Sequence, residues 1–519
     1  MTSERLDSAD GLATTDSTAV VGRASFLRLG SIGAVSSGIA LAAQEIAAGI
    51  VSPLPSLMAG SAQWVIDIAP AGVVEWSIGT LEFWTKRVLI IGVTTVLVVA
   101  GIVTSALPTW ARRSLFALVG FLGALTTAHG PDPFLASLVN ACVAASAGIG
   151  ADWWLRRPTG IAHNPSRRVF VGSIAAVSAA AIAVALGGRA LVERGIRRLA
   201  RRDDVVLPEP VSAVDSVGPA NDFVVEGLDS IVTPNDRFYT VDITALNPPE
   251  IDLASWTLTV TGLVENELIF TFEDLLAMDL VEQYATLACV SNKVGGRLVG
   301  NAKWLGVPFT RILEMAGPRP TAEQVAAFGA DGFATGFPLA ACFDRETILA
   351  IGMNGEPLPY KHGFPVRMVI PGYYGFVSAA KWVERIELTS WDDHDSYWVK
   401  FGWAKNAPIE TQSRIDAPRD NMTITAGPRM IAGMAWAPFL GIERVEVSID
   451  EGPWTETELS EPLGEHTWRQ WRIPWDAAPG EHTIAVRATD GSGQTQTAEM
   501  RNPIPNGATG HHTIRVRAE

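Results

Sequence analysis

Two uncharged stretches, Val88–Ala111 and Val169–Gly188, limit what this chain can fold into more than any other feature. Each runs for at least 20 residues without Asp, Glu, Lys or Arg and stops at arginine, Arg112-Arg113 in one case and Arg189 in the other. About 20 apolar residues cross the ~30 Å of a bilayer's hydrocarbon. Ser114–Ala128 and Phe134–Trp154 are weaker apolar runs, with Asp152 near the end of the second. Leu29–Val51 reads as a first span, interrupted by Glu45, the one acidic group inside a span and so a candidate functional residue. Val51–Ile66 carries Pro53, Pro55 and Gly60 and reads as a re-entrant or surface-lying piece. The expectation is a tail over residues 1–25 and a membrane anchor of about five helices over 26–192.

Loop charges orient such an anchor. Arg23 and Arg28 precede the first span, Arg112 and Arg113 lie between the second and third, and Arg156, Arg157, Arg167 and Arg168 lie between the fourth and fifth. His129–Pro133 has no Lys or Arg. The positive-inside rule then puts the N-terminus in the cytoplasm and everything beyond the fifth span outside the cell. Lys86, Arg87 and the basic run Arg194–Arg202 fit that topology poorly. Ser166-Arg167-Arg168-Val169-Phe170-Val171 resembles a twin-arginine export signal, which moves domains already folded around a cofactor. Only His129 and His163 occur in this half, both in loops, so a membrane haem is not expected.

Charge divides the chain at the same place. Residues 1–202 balance at +6 and residues 203–519 at −21. An acidic soluble half argues against nucleic acid, because phosphate binding needs a basic face. Three cysteines, Cys142, Cys289 and Cys342, cannot build a disulfide scaffold.

Arg202–Ala220 holds three prolines and no helical period, so 193–220 reads as a linker. Strand-like runs at Trp256–Thr261, Glu267–Phe272, Glu282–Val290, Val366–Ile370 and Lys381–Leu388 mix with helix candidates at Phe272–Met278 and Phe309–Ala316. Asn354-Gly355 is a hairpin signal. The expectation for 221–410 is an α+β domain. From 411 to 519 short alternating strands with turn signals and no helix predict a β-sandwich.

Nucleotide loops, C-x-x-C and H-E-x-x-H are absent from the sequence. Asp392-Asp393-His394-Asp395 invites a metal, though adjacent loop residues are more often solvated. Cys289 ends a β-like run and enters a glycine-rich turn with Lys293 four residues on, a setting that favours a thiolate and a soft or high-valent metal. The alternatives are a buried inert thiol or a disulfide to Cys342. In Leu358–Trp382, His362, Arg367 and Lys381 among glycine-rich turns suit a phosphate.

At these residues the chain resembles the sulfite oxidase superfamily of molybdenum–pterin enzymes. Leu287–Asn292 with Ala302–Pro308 resembles the segment that supplies the molybdenum thiolate. Met353–Leu358 with His362–Arg367 resembles the pterin-phosphate segment, and Asp331-Gly332-Phe333 and Lys381-Trp382 match further cofactor contacts. Gly433-Met434-Ala435-Trp436 resembles the start of the family's immunoglobulin-like dimerisation domain. The resemblance implies Cys289 as metal ligand and Tyr239, Asp242, Asn292, Asp331, His362, Arg367, Ser378 and Lys381 around the cofactor, with a homodimer through 411–519. It places Trp403 near the family's active-site tyrosine. It departs where Val294 and Gly441–Ile442 stand in place of arginines that serve an anionic substrate. The function it implies is two-electron oxo-transfer on a small substrate, with molybdenum–molybdopterin, no haem in this chain and a separate cytochrome or quinone-linked electron partner. A reductase of S-oxides or N-oxides, and a cofactor-free membrane-tethered binding protein, are the alternatives.

Overall fold

The computed structural model describes residues 15–50, 56–70, 73, 85–127, 133–156, 201–244, 248–249 and 251–519. Contacts divide the chain into one unit of residues 1–198 with 245–247, and a second of 199–244 with 248–519. The expected fifth span, Val169–Gly188, and the Arg167-Arg168 pair lie outside the described residues.

In the first unit the described helices are α1 (Thr15–Ile50), α2 (Leu57–Ile68), α3 (Thr85–Thr104), α4 (Thr109–Thr127) and α5 (Pro133–Leu155). By length and composition two stretches, Leu29–Ala48 and Phe134–Leu155, are long and apolar enough to cross a membrane; Val88–Thr104 is shorter. The expected single span Val88–Ala111 is two helices. Pro108 is the reason: it lacks an N–H and disfavours helix at the residue before it. The chain turns at Ser105–Leu107 and restarts as α4, which carries Arg112 and Arg113 near its start. α2, at 12 residues, is about 18 Å long, too short to cross.

The buried carboxylates Glu45 and Asp152 of this unit are paired inside it. Glu45, 4% exposed, accepts hydrogen bonds from Gln44 Nε2 and Ser56 Oγ, both at 2.6 Å. Asp152 accepts from Arg112 Nη2 at 3.2 Å and from Arg156 Nε at 2.7 Å. Arg156 also donates to Ser105 O at 2.9 Å, closing the α3–α4 turn against α5.

The second unit opens with residues 201–220. They hold no element longer than Arg202–Asp204, as a linker would, yet they are bound along their length. Arg202 donates to Leu358 O and Pro357 O and pairs with Glu356 at 2.8 Å. Ser212 bridges Val281 in parallel, with Val211 N donating to Leu280 O. This segment covers what would be an open strand edge.

The strands that follow are β1 (Thr257–Gly262), β2 (Leu268–Thr271), β3 (Val281–Ala288), β4 (Val299–Pro308), β5 (Gln324–Gly329), β6 (Ala334–Pro338), β7 (Ile348–Met353), β8 (Glu356–Pro357), β9 (Arg367–Val369) and β10 (Val383–Thr389). They form two sheets, one ordered β2-β1-β10-β5-β6 and one β3-β4-β7-β8 with β9 on β7. Short helices α6 (Phe272–Leu276) and α7 (Phe309–Ala316) pack on them through Phe272, Leu275, Phe309, Ile312 and Leu313. α6 starts at a reciprocal cap, Thr271 Oγ1 taking the Asp274 N–H and the Asp274 carboxylate taking the Thr271 N–H. The Asn354-Gly355 turn joins β7 and β8 with φ of 53° and 84°, the two left-handed residues a tight hairpin requires.

The C-terminal part is β-rich. β11 (Gln412–Ala417), β13 (Gly427–Trp436), β16 (Glu458–Leu459) and β17 (Arg469–Ala477) make one sheet. β12 (Met422–Ile424), β14 (Ile442–Ile449), β15 (Thr455–Glu456), β18 (Gly480–Asp490) and β19 (His512–Ala518) make the other. Ile431 and Trp471 from the first meet Val445, Ile484 and Ile514 from the second in one core. Alternation of apolar and polar residues along β14 and β19 is what buries one face of each.

Candidate molybdenum site

β3 delivers Cys289 one residue beyond its last paired residue, and the chain returns as β4. The turn between them is closed locally: Cys289 N donates to Leu298 O at 2.9 Å, Asn292 N to Cys289 O at 3.0 Å, and Leu298 N to Asn292 Oδ1 at 2.9 Å. Asn292 therefore shapes this loop. From the far side the C-terminal part grips it. Arg414 Nη1 donates to Gly296 O at 3.1 Å, and Gly295, at φ 75°, leaves room that a Cβ would lose to the His512 ring.

Cys289 is buried, and burial raises its thiol pKa, with hydrogen bonds from Ser291 acting the other way. The sequence favoured a thiolate stabilised by Lys293; in the structure burial dominates and holds the sulfur as a thiol. A metal ion reverses that, because coordination deprotonates a thiol. Cys289 and Cys342 are both free, so no disulfide joins them. Among the described residues no three His, Cys, Asp or Glu converge on a metal position, the Asp392–Asp395 run included. His394 instead contacts Thr335 O at 2.9 Å, and Asp395 pairs with Lys405 at 2.8 Å. A metal bound here must bring most of its ligands with it.

Tyr239 and Tyr374 both feel Cys289; burial pushes both phenols up, and Cys289 adds to it. A Cβ on Gly375 would lie 3.6 Å from both Tyr239 Oη and Ala288 O, which fixes Tyr239 beside the cysteine. Tyr374 was not singled out from the sequence, although it lies in the stretch read as a phosphate site. Trp403 packs its ring on Phe376 at 6.0 Å, next to Gly375.

The cationic residues converge next door. A Cβ on Gly363, at φ 110°, would sit 3.0 Å from Lys381 Cβ and 3.1 Å from Arg367 Cβ. His362 places Nε2 2.8 Å from Asn235 O, so that nitrogen donates. Burial, aided by Arg367, Lys381 and Lys361, pushes its pKa down to about 4. Asn235 is fixed by donating to Met353 O and Glu356, and Asn354 donates to Thr233 O and Asn235 Oδ1. The Thr233–Asn235 turn and the β7–β8 hairpin are thus one construction.

Lys381 donates to Asp242 Oδ2 at 3.0 Å and to Lys361 O at 3.1 Å. Asp331 joins this group, with burial holding its pKa up to about 6 against the pull of Lys381. Ser378 is committed locally, its hydroxyl within 3.0 Å of both Tyr373 O and Tyr374 O.

Arg367 differs from all of these. It is 4% exposed, donates to His362 O at 3.0 Å and lies 4.9 Å over the Trp304 ring. It forms no ion pair with a carboxylate among the described residues, and its Nε has no partner. Burial pushes its pKa down to about 10, so it stays charged at neutral pH. A buried guanidinium with an idle N–H is a costly feature unless an anion completes it. A single soft sulfur beside such a cation fits a metal that arrives on an anionic organic ligand.

Comparison with known proteins gives the same chemistry. Residues 245–398 match the family described as oxidoreductase molybdopterin binding domain. Rat mitochondrial sulfite oxidase is 30% identical over 318 residues, 52% of this chain and 58% of that protein. The uncharacterized oxidoreductase YuiH of Bacillus subtilis (strain 168) is 35% identical over 152 residues, 29% of this chain and 74% of that protein. The sulfane dehydrogenase SoxCD of Paracoccus pantotrophus aligns with a TM-score of 0.49 and 25% identity, over 55% of this chain and 81% of that one. The chain thus spans a little over half the length of the mammalian sulfite oxidases it matches.

Proposed function

This chain belongs to the sulfite oxidase superfamily of molybdopterin-dependent oxidoreductases, and from that premise we propose that it is a membrane-anchored, extracytoplasmic enzyme carrying out two-electron oxo-transfer on a small substrate. The observation that carries the reading is the pair formed by Cys289, a buried thiol at the end of β3, and Arg367, a buried guanidinium without a carboxylate. When bound, the molybdenum–pterin supplies the redox chemistry, and the protein supplies position and electrostatics. Cys289 would be its one protein ligand to the metal. Arg367, with the His362, Lys381, Asp331 and Asp242 group beside it, would hold the pterin phosphate. Tyr239 keeps its phenol proton at any physiological pH and can donate a hydrogen bond within the site. Asn292 fixes the cysteine loop, Ser378 fixes the Tyr373–Tyr374 backbone, and Trp403 would close the substrate side.

Electrons would pass to a separate cytochrome or quinone-linked partner. The two apolar stretches Leu29–Ala48 and Phe134–Leu155 support anchoring, and the two-sheet C-terminal part supports an immunoglobulin-like module through which two copies pair. Metal analysis tests the reading: purified, cofactor-competent protein should contain about one molybdenum per chain, and Cys289→Ser should contain almost none. Metal-free protein from a cofactor-competent host would leave a membrane-tethered binding protein in its place.

A further inference from the structure

The helices of the first unit leave a cavity of about 130 Å³ between them. All five described helices line it, with Ser37 from α1, Met58 from α2, Ala100 from α3, Phe116 from α4 and Ala145 from α5. The wall between α1 and α3 is held by glycine. A Cβ on Gly33 would lie 2.1 Å from Gly101 O, and one on Gly101 would lie 2.0 Å from Ser37 Oγ. The two backbones therefore meet directly, and the cavity lies between them and the other three helices.

Most of the lining is apolar, and its polar groups are nearly all committed. Gln44 accepts the Leu57 N–H at 3.0 Å. The Thr104 hydroxyl donates to Ala100 O at 2.7 Å and that of Ser105 to Ile102 O at 2.6 Å. Arg112 lines the cavity beside Asp152 and is 8% exposed. It spends Nη1 on Leu107 O and Nη2 on Asp152. Its Nε is buried and has no partner among the described residues. A buried N–H left unmade is costly. Asp152 already answers the charge, so this last N–H calls for a neutral acceptor, a carbonyl oxygen rather than an anion.

Size and access narrow the occupant. A cavity of ~150 Å³ lined by aliphatic and aromatic side chains holds benzene. This one therefore takes a single six-membered ring and is too small for a diacyl lipid. Val119 also lines it and is 39% exposed, so the cavity opens on the outer face of the bundle. A chain attached to the ring would leave there.

We propose that this cavity binds the ring of a lipophilic quinone, with one ring carbonyl accepting from Arg112 Nε and the apolar tail leaving past Val119. Apolar walls supply the affinity, and one placed donor fixes the orientation. The site rests on the anchoring reading, because a bilayer is what delivers such a ligand. It does not rest on the molybdenum reading.

The probe is decyl-benzoquinone, added to the full chain, cofactor-loaded and purified in detergent. Bound quinone is extracted after gel filtration and measured by its ultraviolet absorbance, and about one per chain should be retained. Decylbenzene keeps the ring and tail but lacks the carbonyls, and should compete at least tenfold less well. Ala145→Phe and Ala100→Phe fill the cavity from different helices, and each should abolish retention, with thermal melts showing that the variant is folded. Arg112→Lys keeps a cation for Asp152 but loses the Nε–H, and should weaken retention severalfold. Val96→Phe, at a position 68% exposed, should change nothing. No retention by the unsubstituted protein, full retention in a folded cavity-filled variant, or equal competition by decylbenzene or phosphatidylglycerol would overturn the site. Failure of the anchoring reading looks different: the chain is then released into the soluble fraction when membranes are washed with carbonate.

Discussion

Arg112 in the first unit and Arg367 in the second, both buried, meet opposite surroundings. In the first unit Arg112 is 8% exposed and shares Asp152 with Arg156, so its charge is answered from within the bundle. In the second, Arg414, 2% exposed, is answered in the same way by Asp416 and Asp229, whereas Arg367, 4% exposed, meets no described carboxylate. Ion pairs of the first kind organise a fold; removing one partner strands the other. Cations of the second kind are left for something that arrives later. The same residue type is thus a structural part at Arg112 and a reception point at Arg367, and the difference can be measured.

The largest effect belongs to the paired arginine. Arg112→Met leaves the buried Asp152 with Arg156 alone and should cost about 3 kcal/mol of stability, at the low end for breaking a buried pair because one cation remains. Arg367→Met in cofactor-free protein strands no carboxylate and should leave the second unit as stable or more so. Detergent-solubilised thermal melts of both variants decide this. A loss in Arg367→Met as large as in Arg112→Met would erase the contrast.

Next is a pH effect centred on His362, which packs against Arg367. Its folded pKa of about 4 lies below the ordinary value of 6.5. Between those values the unfolded chain takes up a proton that the folded chain refuses. Stability should therefore be full above about pH 6.5 and fall as pH drops toward 4, by up to about 3 kcal/mol. Asp331, held up to about 6, works in the opposite direction, and His512, at about 4, in the same one. The difference between the unsubstituted protein and His362→Gln isolates the histidine. Denaturant melts of cofactor-free protein at pH 7 and 4.5 should show a smaller decline in the variant; parallel declines would mean the ring is not kept neutral.

Cofactor retention is a smaller effect of the unpaired arginine. Arg367→Lys keeps the charge and loses the planar fork, and should reduce molybdenum retained through dialysis about tenfold, worth ~1.4 kcal/mol. Full retention would show that charge alone suffices and that the idle Nε contributes nothing.

Which of these features the sequence revealed follows from their range along the chain. Cys289 at a strand end, the Asn354-Gly355 hairpin and helix α7 were legible because local spacing and turn chemistry define them. Val88–Ala111 was misread because hydropathy hid Pro108, whose effect on the backbone outweighs the apolar run. Asp152 was seen as a blemish near a span end, since its partner Arg112 lies 40 positions away. Arg414 reaches Gly296 across 118 positions and left no mark on the Cys289 motif. The absence of an arginine at Gly441–Ile442 could be read directly.

The smallest prediction sharpens the contrast from inside the first unit. Arg156, the residue just past the end of α5, is paired with Asp152 four residues earlier, and its side chain is 20% exposed, about twice the exposure of Arg112. A helical pair at that spacing with partial solvent access is worth well under 1 kcal/mol, and its hydrogen bond to Ser105 O adds about as much again. Arg156→Gln should therefore cost about 1 kcal/mol, with Arg112 still holding the carboxylate. The charge of Asp152 then depends on Arg112 and not equally on both. If Arg156→Gln instead destabilises as much as Arg112→Met, the three residues act as one unit, and what separates Arg112 from Arg367 is a closed network rather than a pair.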